Sequence, residues 1–125
     1  MAQIKSYDTL SDVKDHIQKG RILSKGANLT IASGAITVTD SFHLVATEGA
    51  AASDNLETIN GGTQAGQILV LMAADGGDTV VVKNNTDPGS TLEIGADFSL
   101  DSEDDSITLM WTGTKWVALS THSNS

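Results

Sequence analysis

Apolar residues follow two different periods along this chain. Near the N-terminus Leu10, Val13 and Ile17 fall three and four apart, with Ile22 beyond them. That spacing puts them on one stripe of a helix. Ser11 is a suitable N-cap. Asp12 and Asp15 in the first turn and Lys19 in the last oppose the helix dipole, and Gly20 supplies a stop. A helix of about two turns does not hold by itself in water, so this stretch must dock on its own body or on a partner.

From Asn28 the period drops to two. Leu29 and Ile31 alternate with Thr30 and Ala32, and Ile36 and Val38 alternate with Thr37 and Thr39, before the run Phe42-His-Leu-Val45. Such short β-branched runs broken by Gly and Ser predict strands. Residues 46–66 read as a long loop anchored by Leu56 and Ile59. Residues 67–73 and 79–83 read as a hairpin around Asp75-Gly76-Gly77-Asp78. Residues 84–89 form a turn cluster marked by Pro88-Gly89. Strands are then expected at 91–94 and 97–100, split at Gly95. An acidic turn at 101–105 precedes a last pair at 106–111 and 115–119 around Thr112-Gly113-Thr114. The fold class expected is mainly β: an antiparallel sandwich or barrel-like (β-tulip-like) body at 27–122, with an arm at 1–26 carrying the helix and a tail at 123–125.

Several strands depart from the alternation of a sheet with one wet face. Ile68-Leu-Val-Leu-Met72 and Val80-Val-Val82 are apolar throughout, and the last pair places Trp111 and Trp116 among further apolar residues on both faces. A second buried surface in so small a body points to a subunit interface, with Leu69, Leu71, Val80, Val82, Trp111 and Trp116 as candidates. A helix or loop covering the outer face is the alternative.

Charge divides the chain. Residues 1–26 hold five basic residues against three acids, whereas the remainder holds two lysines against thirteen acids. An acidic body repels phosphate backbones, which disfavours nucleic acid as a partner. The longest apolar run, residues 68–74, is far short of a membrane span. The N-terminus lacks the apolar region of a secretory signal. The absence of cysteine removes disulfides and Cys-ligated metals and suits assembly in a bacterial cytoplasm.

Candidate chemistry is sparse. His16, His43 and His122 have no metal-ligand spacing, and no nucleophile elbow, phosphate loop or zinc-protease motif is present. The run Asp101-Ser-Glu103-Asp104-Asp105 lacks the EF-hand spacing and its central glycine, so a solvated turn is the expectation rather than a calcium loop. Two Trp, one Tyr and two Phe leave little for a carbohydrate platform. No enzyme, cofactor or metal is expected.

The order of several short segments is informative. Ile36-Thr-Val-Thr39, Phe42-His43, Thr47-Glu48-Gly49, Ala51-Ala52-Ser53-Asp54 and Leu56-Glu-Thr-Ile-Asn-Gly-Gly62 come first. Gly66-Gln-Ile-Leu-Val-Leu71, Thr79-Val-Val-Val-Lys83, Asp97-Phe-Ser-Leu100 and Leu109-Met-Trp-Thr-Gly-Thr-Lys-Trp116 follow. Over about residues 27–120 this series resembles a small β-domain of tailed-bacteriophage virion structural proteins, found at tail-fibre ends and in trimeric cement or decoration proteins. It departs from that pattern at 84–95, where Thr91-Leu-Glu-Ile-Gly95 follows a longer turn. The resemblance implies a homotrimer and no catalytic residue.

A fibre knob stands behind a long shaft, whereas a cement protein needs only a body and a short arm. The expectation is therefore a trimeric capsid cement protein on the virion exterior, bound to the major capsid protein and stabilising the shell. Lys5, Val13, Lys14, Ile17, Lys19 and Arg21 of the arm would make that attachment. The alternatives are a tail-fibre or head-fibre knob that binds a receptor, and a soluble bacterial lectin or adhesin.

Overall fold

The computed structural model describes residues 22–124. The expected helix and the arm residues Lys5, Val13, Lys14, Ile17, Lys19 and Arg21 lie outside them. The described residues form ten strands: β1 (Leu29–Thr30), β2 (Ala35–Thr37), β3 (Phe42–Ala46), β4 (Ser53–Leu56), β5 (Thr58–Asn60), β6 (Ile68–Ala73), β7 (Thr79–Val82), β8 (Phe98–Leu100), β9 (Ser106–Trp111) and β10 (Trp116–His122).

Three sheets share one core. The largest has the order β1-β3-β6-β9-β10, a second is β2-β5 and a third is β4-β7-β8. Their logic is a circuit run twice. The chain passes through β2, β3 and β4, then through β5, β6 and β7, and each strand of the second pass lies parallel to its counterpart in the first. Registers keep apolar residues stacked inward: Ile36 beside Ile59, Val45 beside Ala73 and Leu56 beside Val82. β9 and β8 then run back antiparallel along β6 and β7. β10 closes a hairpin on β9, with Trp116 opposite Trp111.

The mainly-β expectation holds, but the all-antiparallel one does not. β1–β3, β2–β5, β3–β6 and β4–β7 are parallel. The expected hairpin at 75–78 is a corner between two sheets. Asp75 caps it, its carboxylate accepting the Gly77 amide at 2.8 Å. The flanking strands β6 and β7 each already lie between two other neighbours and so do not pair with each other. The corner stacks on the first pass, Ala74 donating to the Val45 carbonyl and Thr79 to that of Ala52. Similarly, the supposed loop at 46–66 contains β4 and β5, and the expected strand at 91–94 is reduced to a single bridge between Leu92 and Trp116.

Trp116 is the largest fully buried side chain, and its indole N–H donates to the Ile59 carbonyl at 3.2 Å. The Trp111 ring sits 5.4 Å from it, tilted by 56°. Gly62 lies against that second ring so closely that a β-carbon there would come within 2.3 Å of it.

Candidate self-association face

In a strand, successive side chains point to opposite faces, so the inward set fixes the outward one. β6 alternates half-buried and buried from Ile68 to Ala73, with Leu69, Leu71 and Ala73 in the core. Ile68, Val70 and Met72 therefore lie on the side away from it. Register extends this row across the sheet: Val70 lies between Phe42 and Thr108, Met72 between Leu44 and Ser106, and Ile68 beside Met110, which is itself beside Val117. The outer face of β3-β6-β9-β10 thus carries Phe42, Leu44, Ile68, Val70, Met72, Met110 and Val117; its polar members are Ser106 and Thr108 on β9 with their partners His122 and Ser120 on β10, and it holds no acid, lysine or arginine.

The outer faces of the other sheets differ. Ala35 and Thr37 pair with Thr58 and Asn60, and Ser53 and Asn55 pair with Thr79 and Val81, the latter beside Ser99. Only the five-stranded sheet is broadly apolar on both sides.

The sequence-derived interface candidates lie on the inward side. Leu69, Leu71, Val82 and Trp116 are fully buried and Val80 is 1% exposed within a single chain. No neighbouring subunit can reach them. Trp111 is half-buried against the core. The two-sided apolar character of the Ile68–Met72 run was legible, and the candidates named from it, Leu69 and Leu71, lie on the inward side. The clue lay in β9, where Ser106 and Thr108 alternate with Ile107 and Leu109. The pairing that carries this parity onto β6 is not written in the sequence.

The buried polar groups serve the framework. His43 is fully buried beside Leu71. Its Nε2 accepts the backbone amides of Thr39 and Asp40 at 3.1 and 3.0 Å, so Nδ1 carries the proton and donates it to the Ala27 carbonyl at 2.7 Å. The ring thereby fastens the entering segment to the start of β3. Gly26 is needed beneath it, since a β-carbon there would lie 2.3 Å from the imidazole and 2.4 Å from the Asp40 carboxylate.

Asp105, expected in a solvated turn, is fully buried. Its carboxylate accepts the amides of Asn124 (2.7 Å), Asp101 (3.0 Å) and Ser102 (3.1 Å), tying the end of the last strand to the acidic turn. The Asn124 amide foremost, then the bonds from Asp101 and Ser102, hold this carboxyl below the usual carboxylate range against the upward push of burial. Its hydrogen bond to Asp105 raises Asp101. A lowered native value stabilises the fold above the unfolded value of about 3.9, and that contribution disappears as pH falls through the native value. The raised Asp101 acts in the opposite sense, its contribution being lost as pH rises through its native value. Asp105→Asn should therefore lower stability at neutral pH by roughly 2 kcal/mol, the scale of charged hydrogen bonds. It should also flatten the loss of stability below about pH 4. Urea titrations at several pH values check this; an unchanged acid limb would dissociate Asp105 from it.

No curated protein matches the chain. The family model described as the phage depolymerase C-terminal beta sandwich domain matches residues 39–117, from just before β3 into the start of β10. That span takes in the second pass of the circuit, the returning strands and almost all of the outer apolar face. With well over half its length matched, the chain belongs to the phage depolymerase C-terminal β-sandwich domain family.

Proposed function

We propose that this chain is a non-catalytic, self-associating module of a bacteriophage tail, in which three copies meet through the outer face of the five-stranded sheet and contribute to host attachment. The observation that carries self-association is the uncharged apolar row Phe42, Leu44, Ile68, Val70, Met72, Met110 and Val117 on a sheet already buried on its other side. Extended apolar patches on soluble domains mark contact surfaces. Three is the number implied by the resemblance to fibre ends.

The family match supports the tail over the capsid shell. The cement reading, with the major capsid protein as partner and the shell exterior as location, gives way to the tail-fibre alternative. A structural role is supported by what the buried polar groups do: both nitrogens of His43 and the carboxylate of Asp105 are engaged by backbone. The depolymerases for which the family is named supply the context of a virion that meets a surface polymer.

Light scattering on the full chain should give close to three times 13.0 kDa. A monomer at micromolar concentration removes the self-association reading. Labelling this chain on intact virions should mark the tail; label on the shell restores the cement reading.

A further inference from the structure

The parallel register that stacks the two passes also stacks their corners. Leu56 pairs with Val82, so Glu57, between β4 and β5, lies next to Lys83 at the end of β7, and the Lys83 amide donates to the Leu56 carbonyl at 2.9 Å. Between the corners lies a cavity of about 260 Å³ lined by Glu57, Lys83, Asn84, Asn85, Thr86 and Asp87. Every lining side chain is polar.

The segment that presents these side chains is fixed through Lys83, Asn84 and Asn85. The Asn84 carbonyl oxygen accepts the amides of Ile94 and Gly95 at 3.0 and 3.1 Å. Asn85 accepts the Asp87 amide and donates to the Glu57 carbonyl. The Lys83 ammonium contacts Asp97 at 2.7 Å, and the other oxygen of that carboxylate accepts the Asn84 amide. Among the described residues, the Glu57 and Asp87 carboxylates, the Thr86 hydroxyl and the Asn84 NH₂ group make no hydrogen bond. Acceptors and donors are thus presented side by side from a fixed support, which lowers the ordering cost of binding.

The chemistry of the lining selects the ligand. Lys83 is matched by Asp97, so Glu57 and Asp87 leave the cavity negative and repel anions. The absence of an apolar lining side chain disfavours a hydrophobic ligand. Hydroxyl groups, each both donor and acceptor, suit this mixture. We propose that the corner cavity is a subsite for one neutral, hydroxyl-rich sugar ring, formed by Glu57, Asn84, Thr86 and Asp87. This rests on the reading of the chain as a tail module that meets the host surface.

The test titrates isotope-labelled full-length protein with glucose, galactose and mannose at tens of millimolar, following the Asn84 and Asn85 side-chain amides and the Thr86 backbone amide by NMR. At least one hexose should give saturable shifts confined to these signals. Glu57→Gln combined with Thr86→Val should weaken binding about five-fold or more, as expected when two hydrogen-bonding groups are removed, without changing the melting midpoint or the oligomer mass. Silence from all three hexoses, shifts spread over the surface, or shifts unaffected by the double substitution overturn the subsite. A response to calcium or phosphate without one to hexose overturns it too. A hexose-silent trimer removes only the subsite, whereas a monomer that binds hexose removes only the self-association reading.

Discussion

Trp116→Ala should destabilise the fold by about 3–5 kcal/mol, the range for removing a buried indole from a packed core. Trp116 is fully buried, and it is where the last strand meets the two-pass circuit. Its ring packs beside Trp111, and its N–H satisfies the carbonyl of Ile59 on β5. Alanine leaves both a cavity and an unpaired buried carbonyl, whose separate cost is about 1–3 kcal/mol. Trp116→Phe retains most of the volume and loses the donor, so its cost should be close to that second figure alone. Urea unfolding at one fixed protein concentration measures both, because oligomerisation makes apparent stability concentration-dependent. A loss below about 1 kcal/mol for the alanine variant would be incompatible with a core closed by this residue.

The neighbours Val70 and Leu71 should respond to aspartate in different ways. Leu71 is fully buried between His43 and Ile107. An unpaired carboxylate there costs several kcal/mol, against a total stability of about 5–15 kcal/mol for a domain. Leu71→Asp should abolish folding, read as loss of the β-sheet circular dichroism signal. Val70 lies across the sheet from it, between Phe42 and Thr108. Val70→Asp should leave a folded chain that light scattering finds as a monomer. If this variant remains trimeric at micromolar concentration, the outer face is not the subunit contact. If it also loses its β-structure, the inward and outward sets have been assigned the wrong way round.

The strands of the second half were legible in sequence, and so was the turn at 112–114, because tight local turns and two-residue periodicity are short-range signals. The sheet partners were not. An unbroken apolar run such as Ile68–Met72 marks a strand covered on both faces, and parallel strands commonly read that way. Sequence reasoning took the run as antiparallel, and the interface candidates it named there, Leu69 and Leu71, face the core. Asp75-Gly76-Gly77-Asp78 shows why: a turn signal specifies that the chain reverses or bends, not whether the next strand joins the same sheet. His43 was the least legible residue. Between Phe42 and Leu44 it reads as the outward member of its strand, yet it points inward because three backbone groups meet its two nitrogens. Those partners lie in the entering segment and the turn before β3, which no local pattern connects to it. Asp105 was hidden in a run of acids whose composition predicts solvent.

The two-pass circuit also sets the order in which the chain can become safe from aggregation during synthesis. Partners within the circuit are far apart in sequence, so loop closure must precede most pairing, and such topologies form slowly. Until β9 has been translated, β6 has β3 on one edge and nothing on the other. An apolar strand with an open edge invites pairing with other nascent chains. Among the described residues, the β9–β10 hairpin is the only strand pairing closed by a short turn, and it follows the rest of the circuit in sequence. Its folding covers that edge and delivers Trp116 in a single step, so the emergence of β9 and β10 decides when the strands before them stop being a hazard.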